Sequence, residues 1–496
     1  MPPDVTEWSE PEIFGSHVFS RLGVRVDGEM RPLDEAGQTR WENVFFAGRS
    51  LGGYDFATEK SGHGVALTTG WQHGCRHCRK IRRTGVRRAH MSVRINPDKC
   101  IACTTCVVHC PVAEATPKFL GPRMIGPAYE RFRLLGLAED PSLHYCANCK
   151  NCDISCPHDV PVSSINMLAR AEQCKQQSPG LRDWVLAHGE LQARWLRLIP
   201  AGLKNFGMLN PVTRVLLDAL GIDKRAPLPR FAAQTFRQQM RNIRQPAQTR
   251  KAVFFPGCYV DVYDPRTGLD MVWALNRAGY EVIVPDDFVC CGLPMIANGF
   301  WQDARANADR NLAALARWRE QGIPVITGCP SCALMFRTDL PEFFPDLAEK
   351  HGATPLEDAQ EFLLGCAEHG ELQLDTKTAG ACLPELRVIY HAPCHLRAQG
   401  NGLAGLELLR RLPGVMVRNA DAGCCGISGS YGFKKEKYDI GQEIGAALFK
   451  AVRGSGAHIA ASECGTCRVQ ILHGSGLPCL HPVSIVRQRL EALRPA

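Results

Sequence analysis

The sequence predicts an α/β plus α architecture: a small helical module built on two four-cysteine runs, followed by two copies of one α/β unit. Three observations predict it. Cys100, Cys103, Cys106 and Cys110 are followed by Pro111, and Cys146, Cys149, Cys152 and Cys156 by Pro157, so one C-x₂-C-x₂-C-x₃-C-P pattern occurs twice. Five further cysteines recur at offsets of 134 to 136 residues. Short apolar runs alternate with helical stretches throughout that second half.

A chain of 496 residues exceeds a single core and suggests three or four domains. The expected divisions are 1–90, 91–175, 176–250, 251–380 and 381–490. The 24 cysteines lie in tight clusters. Met1 is followed by Pro-Pro-Asp-Val-Thr-Glu, not by a basic and then an apolar stretch, so no signal peptide is expected. Clustered cysteines kept in a reducing compartment read as metal ligands rather than disulfides. No apolar run reaches the roughly 18 residues of a spanning helix, so membrane contact is expected to be peripheral. The net charge of +8 is unevenly spread. Cys75 to Ile95 holds eight Lys/Arg and no acid, and Leu181 to Lys251 holds thirteen against four acids. Such segments favour phosphate-bearing surfaces, and lipid headgroups are expected here rather than nucleic acid.

In the first module, four cysteines within eleven residues and a trailing proline resemble the bacterial ferredoxin run, whose thiolates hold [4Fe–4S] cubes. In two-cluster ferredoxins the fourth cysteine of each run ligates the other cluster. That resemblance assigns Cys100, Cys103, Cys106 and Cys156 to one cubane, and Cys146, Cys149, Cys152 and Cys110 to a second. A pair of zinc sites is the competing reading, but structural zinc uses separated C-x₂-C pairs. The insert between the runs carries Pro117, Gly121-Pro122-Arg123 and Gly126-Pro127, then a short helix from Tyr129 to Leu135. Its length is similar to that in succinate-dehydrogenase-type iron–sulfur subunits.

The second half reads Cys258, Cys290-Cys291-Gly292 and Cys329-Pro330-Ser331-Cys332, and then again Cys394, Cys424-Cys425-Gly426 and Cys464-Gly465-Thr466-Cys467. Apolar runs at 252–255, 323–326, 388–390 and 458–461 precede cysteine groups and read as parallel strands. Asp303–Trp318 and Lys435–Val452 read as helices between them. Ligands in open α/β sheets gather at the carboxyl ends of strands, where five cysteines per copy would converge. The pattern resembles the CCG, or cysteine-rich, domain family. Its members include the B subunit of heterodisulfide reductase, the lactate and glycolate oxidase iron–sulfur subunits, and the C subunits of anaerobic glycerol-3-phosphate dehydrogenases. The resemblance implies two CCG-type non-cubane [4Fe–4S] clusters, one on Cys258, Cys290, Cys291, Cys329 and Cys332, the other on Cys394, Cys424, Cys425, Cys464 and Cys467. Zinc or a reactive disulfide competes, although five thiolates exceed the tetrahedral need of zinc. His391 and His395 flank Cys394 as candidate proton donors or as hydrogen-bonding neighbours of the cluster. Cys75, Cys78, Cys174, Cys366, Cys382 and Cys479 fit no pattern. A zinc half-site at Cys75/Cys78 competes with free thiols.

In the connector, Trp184, His188, Leu191, Trp195 and Leu198 recur at helical steps, with Arg182, Arg194 and Arg197 around them. Asn210-Pro211 opens another helix bearing Val212, Val215, Leu216 and Leu220. These features suit an interfacial helix in the headgroup plane, or a helix that buries its tryptophans against the domains. The stretches 181–183, 220–225, 228–231 and 235–237 resemble the connector found in the C subunits of glycerol-3-phosphate dehydrogenases.

Residues 41–71 run from Trp41 through Gly48, Gly52, Gly53 and Ser61-Gly62-His63-Gly64. This looks like the closing segment of the flavin-binding B subunit of the same dehydrogenases. No G-x-G-x-x-G fingerprint opens it, so no complete flavin site is expected in this chain. The run before Met91 reads as a fusion joint.

The resemblance thus implies an electron-transfer subunit that receives electrons from flavin-containing dehydrogenase subunits. It would pass them to menaquinone at the cytoplasmic face of the inner membrane. No catalytic residue toward an organic substrate is expected. The alternatives are a subunit of a lactate, glycolate or succinate oxidoreductase, a heterodisulfide-reductase-like enzyme acting at a CCG cluster, or a zinc-stabilised nucleic-acid-binding protein.

Overall fold

The computed structural model describes residues 24–27, 31–39, 95–133, 140, 142–352, 356–374 and 383–493. It falls into two compact units, Met1–Ser92 and Val93–Ala496. In the first, Val26 bridges Pro32 and Leu33 bridges Thr39, both antiparallel. The flavoprotein-like stretch 41–71, Cys75, Cys78 and Cys382 lie outside the described residues.

The second unit opens with the two cysteine runs and then α1, Val162–Gln176. The connector follows as α2 (Leu181–Ala187), α3 (Gly189–Trp195), α4 (Ala201–Leu209) and α5 (Pro211–Ala219). The first α/β copy comprises β1 (Arg250–Phe255), α6 (Pro265–Arg277), β2 (Tyr280–Ile283), α7 (Trp301–Glu320), β3 (Val325–Thr327), β4 (Glu357–Asp358) and α8 (Ala359–Glu368). The second repeats it: β5 (Leu386–Tyr390), α9 (Ala404–Arg410), β6 (Val415–Asn419), α10 (Lys435–Arg453), β7 (Ile459–Ala461), α11 (Gly465–Ser475), β8 (Cys479–Leu480) and α12 (Pro482–Ala492). Each copy forms a four-stranded parallel sheet, ordered β2-β1-β3-β4 and β6-β5-β7-β8. The central strands β1, β3, β5 and β7 are apolar on both faces, as parallel strands covered by helices must be.

Period-two alternation sorts each strand's residues between two cores. Ala252, Phe254 and Ile326 from the first sheet share one core with Val388, Tyr390 and Ala461 from the second. Val253, Phe255 and Val325 face a separate outer core closed by α7, while Ile389 and Ala460 face another closed by α10 and α11. Between the sheets, α6 packs on α12 and α8 packs on α9. In each pair, the helix after the first strand of one copy meets the last helix of the other. The duplication is therefore self-complementary, as in an isologous dimer.

The stretch 184–198 differs from the expected single helix. His188 leaves helical geometry at φ −112°, ψ 42°, and Gly189 restarts the chain as α3. The aromatic pattern survives the break, because Trp184 stacks on both His188 and Trp195, at 5.2 and 5.6 Å between ring centroids. His188 is buried, bonded to Trp184 O and to Asp303. The second helix start is as expected: the Asn210 side chain accepts from Thr213 N at 3.0 Å. The helix in the insert runs over Tyr129–Arg133, behind a π-turn at Met124–Ala128.

The acids of this basic segment hold it to the body. Asp183 pairs with buried Lys434 at 2.6 Å, Asp218 pairs with Lys435, and Asp223 pairs with Arg225, which reaches Asp439 at 2.9 Å. Much of the positive charge is structural as well. Arg182 binds Glu436, Arg214 binds Lys224 O and Ala226 O, and Arg237 binds Phe288 O. In and beside α4 and α5 the exposed side chains are apolar: Leu198 (87%), Phe206 (69%) and Val212 (71%), with Leu203, Val215 and Leu216 nearby in sequence. Among the described residues, no helix is long and apolar enough to cross a membrane.

Candidate metal centres

Each four-cysteine run wraps through the same backbone device. Ala102 and Thr104 flank Cys103 with φ of 61° and 66°, and Asn148 and Lys150 flank Cys149 with φ of 50° and 64°. Left-handed geometry in non-glycine residues costs roughly 1–2 kcal/mol each. It is sustained where the turn must aim consecutive N–H groups inward at an anionic group. Val160 N donates to Cys156 Sγ at 3.4 Å, and Asn166 Nδ2 donates to Cys146 Sγ at 3.7 Å.

The two runs exchange their fourth cysteines. Cys100, Cys103, Cys106 and Cys156 line one cavity, with Thr104, Arg123 and Val160. Cys110, Cys146, Cys149 and Cys152 line another, with Val112, Phe119 and Asn148. Burial, and then the neighbouring thiols Cys100, Cys103 and Cys156, push Cys106 up to about 11. Cys110 is likewise pushed to about 11 by burial, while N–H donors from Ala113 and Val112 work against that rise. Four thiols crowded in one cage are costly as bare thiolates, and a cationic centre removes that cost.

In the α/β copies, the cysteines converge beyond the carboxyl ends of the strands. Cys258 and Cys290 approach to 3.8 Å between sulfurs, and Cys425 and Cys467 to 3.3 Å. Cys291 interacts with Cys290, Cys332 and Cys258, and Cys329 with Cys332, so all five thiols of the first copy share one locus. In the second copy, Cys424 bonds to Cys394 and Cys425, and Cys464 to Cys467. The glycine after each Cys-Cys pair is required by space. Gly426 has φ 82°, and a Cβ there would meet Gly441 O at 1.8 Å; Gly292 has φ 89° and lies against Ala304. Five buried sulfurs around one point, with N–H groups such as that of Gly426 on Cys424 Sγ at 3.4 Å, are a donor set suited to an iron–sulfur group.

One contributing residue, Glu190, is not singled out by the sequence. Glu190, on α3, accepts from Cys290 N at 2.6 Å, and burial holds its carboxyl above the ordinary range. Its only hint is an acid inside a basic segment. His395 commits both ring nitrogens to groups other than the thiols of its own copy. Its Nε2 donates to Asn148 O at 3.0 Å and its Nδ1 meets Ser331 Oγ at 2.9 Å. It therefore ties together three cysteine loops, one from each module. His391 instead faces its own site and is taken up below. Cys174, Cys366 and Cys479 join no cysteine group; Cys366 is buried in the core between the sheets.

These features agree with known proteins. Residues 96–160 match the 4Fe-4S dicluster domain, and residues 252–337 and 388–472 match the cysteine-rich domain CCG. The chain is 38% identical over 400 residues to the C subunit of the anaerobic glycerol-3-phosphate dehydrogenase of Escherichia coli K12, covering 79% of this chain and 98% of that protein. The chain belongs to the family of anaerobic glycerol-3-phosphate dehydrogenase C subunits. Another member of the wider group, the B subunit of the fumarate reductase (CoM/CoB) of Methanothermobacter marburgensis, is 27% identical over 75% of this chain and 67% of its own length. A 67-residue stretch is 45% identical to the probable B subunit of the anaerobic glycerol-3-phosphate dehydrogenase of Halobacterium salinarum, covering 14% of this chain and 16% of that protein. A family member carrying such a stretch holds more than the C-type portion and accords with the B-type likeness seen in residues 41–71.

Proposed function

We propose that this chain is the electron-transfer iron–sulfur subunit of a membrane-associated anaerobic glycerol-3-phosphate dehydrogenase, passing electrons from a partner flavin subunit to menaquinone. Cys100, Cys103, Cys106 and Cys156 would hold one [4Fe–4S] cubane, and Cys110, Cys146, Cys149 and Cys152 the other. The five cysteines of each α/β copy would hold a CCG-type [4Fe–4S] cluster. The chemistry these groups supply is one-electron transfer at potentials set by burial and by hydrogen bonds to sulfur.

One observation carries the reading: the four cysteine groups form an unbroken file. Cys106 neighbours Cys110, Cys149 neighbours Cys394 and Cys424, and Cys464 neighbours Cys329. The second cubane's cysteines thus lie between those of the first cubane and those of the α/β copies, whose own cysteines face one another. The chain's own residues hold the loops of this file together. Lys150 is locked to Asp339 at 2.8 Å, and His395 spans three of the four loops. The exposed apolar residues of α4 and α5, with exposed Arg194 and Arg230, suit peripheral seating on an anionic lipid surface at the cytoplasmic face.

Anaerobic metal and sulfide analysis with electron paramagnetic resonance tests this reading. Full loading gives about sixteen irons per chain, from four four-iron groups. About eight would leave only the two cubanes, and zinc in place of iron would refute the proposal. With flavin subunits added, glycerol 3-phosphate should reduce the clusters and a menaquinone analogue reoxidise them. Reduction by lactate instead would assign the chain to a different dehydrogenase.

A further inference from the structure

We infer that His391 is a nitrogen ligand of the centre in the second α/β copy, giving that site a mixed sulfur–nitrogen donor set which the first copy lacks. The inference rests on the iron–sulfur reading of that site and adds to it a residue outside the cysteine pattern.

His391 follows the last residue of β5, and its backbone N–H donates to Ala461 O at 2.8 Å, which pins it beside the adjacent strand β7. A ring nitrogen lies within 4.8 Å of both Cys425 Sγ and Cys467 Sγ. Those sulfurs are 3.3 Å apart, so the three donor atoms surround one point. The side chain is 3% exposed, and Nε2 has no hydrogen-bond partner. An unpaired polar group so deeply buried is costly. A metal centre at that point relieves the cost.

The duplicated fold supplies an internal control. The offset of 136 residues that relates Cys258 to Cys394 relates Phe255 to His391. Phe255 occupies that position in the first copy, in one core with Cys291 and Cys332, the counterparts of Cys425 and Cys467. It packs edge-on against Phe288 and Phe336 at 5.2 and 5.4 Å. The same place is thus an aromatic wall in one copy and an unpaired imidazole in the other. A neutral imidazole donor beside the five thiolates alters the ligand set of a centre and shifts its potential. The two α/β centres should therefore be electronically distinct although their cysteines are equivalent.

The test uses the full chain, purified without oxygen and loaded with iron and sulfide. Chains with ¹⁴N- and ¹⁵N-histidine are compared by electron–nuclear double resonance on the paramagnetic second centre. A strongly coupled nitrogen that follows the isotope is expected. It should vanish in His391→Phe, a residue the sister copy already accommodates, and that variant should shift the midpoint potential of the second centre alone. Phe255→His should bring a nitrogen coupling to the first centre. The labelled unsubstituted chain decides the question even where a variant folds poorly. Iron-replete protein with only a weak or no nitrogen coupling would overturn the assignment, as would a coupling that persists in His391→Phe. An iron-poor chain would instead overturn the iron–sulfur reading beneath it.

Discussion

Lys150 sits between two candidate cubane ligands, Cys149 and Cys152, and replacing it with methionine should loosen the file of cysteine groups at its midpoint. Its side chain is 4% exposed, and Nζ lies 2.8 Å from Asp339 Oδ1, a carboxylate with no exposure at all. Asp153 at 3.9 Å and Ser164 Oγ at 3.3 Å complete the shell. Burial works against the ammonium, but Asp339, Asp153 and Glu342 outweigh it and hold its pKa above the ordinary range. The contribution is therefore complete below the ordinary lysine value of about 10.4 and lost only as pH rises through the raised folded value, so it is constant near neutrality. In Lys150→Met, Asp339 keeps neither an ion partner nor a hydrogen bond, since its two oxygens have no hydrogen-bond partner. Breaking buried pairs in general costs about 3–5 kcal/mol. Hydrogen–deuterium exchange of the iron-loaded chain reads this locally. Peptides covering 146–156 and 335–345 should exchange about a thousandfold faster, the equivalent of about 4 kcal/mol. Lys150→Met/Asp339→Leu, which removes both charges, should recover most of the loss. Exchange within about threefold of the original chain, or a double variant as loose as the single one, would refute the argument.

Two further outcomes follow from the same kind of reasoning. His481 caps α12 while buried against the first copy: Nε2 donates to Gly328 O at 3.1 Å and Nδ1 accepts from Val483 N at 3.2 Å. Burial, and then Arg468, lower its pKa to about 3, so stability is complete above pH 6.5 and falls toward pH 3 as the unfolded chain alone takes up the proton. Urea midpoints at pH 7, 6 and 5 should show a slope about 1.4 kcal/mol per pH unit shallower in His481→Asn than in the original chain. On the connector, Phe206→Ser and Leu216→Ser should each weaken binding to anionic vesicles about tenfold, since each removes roughly 1.5 kcal/mol of apolar burial. Cosedimentation measures this, and unchanged binding of the double variant would move the lipid contact elsewhere.

The cysteine spacing made the thiol groups legible because metal cages need several donors on short, tightly turning loops, and such turns leave a local signature. The exchange of Cys110 and Cys156 between runs was legible only through the ferredoxin resemblance. Strand positions near 252, 325, 388 and 459 were readable from short apolar runs, and the long helices were found within about two residues at each end. The stretch 184–198 was misjudged as one helix because periodicity survives the break at His188. Its arginines suggested a surface, while many of them are spent on the body of the protein.

Local sequence thus determined which residues can bind and which segments can be strands or helices, because those properties depend on neighbours a few positions away. Tertiary structure alone decided the order of the cysteine groups, the helices sandwiched between the two sheets, the bridging of three loops by His395, and the unequal neighbours Phe255 and His391. Those depend on side chains up to some 250 residues apart meeting in a low-dielectric interior, where an unpaired nitrogen or carboxylate is costly enough to dictate its partner.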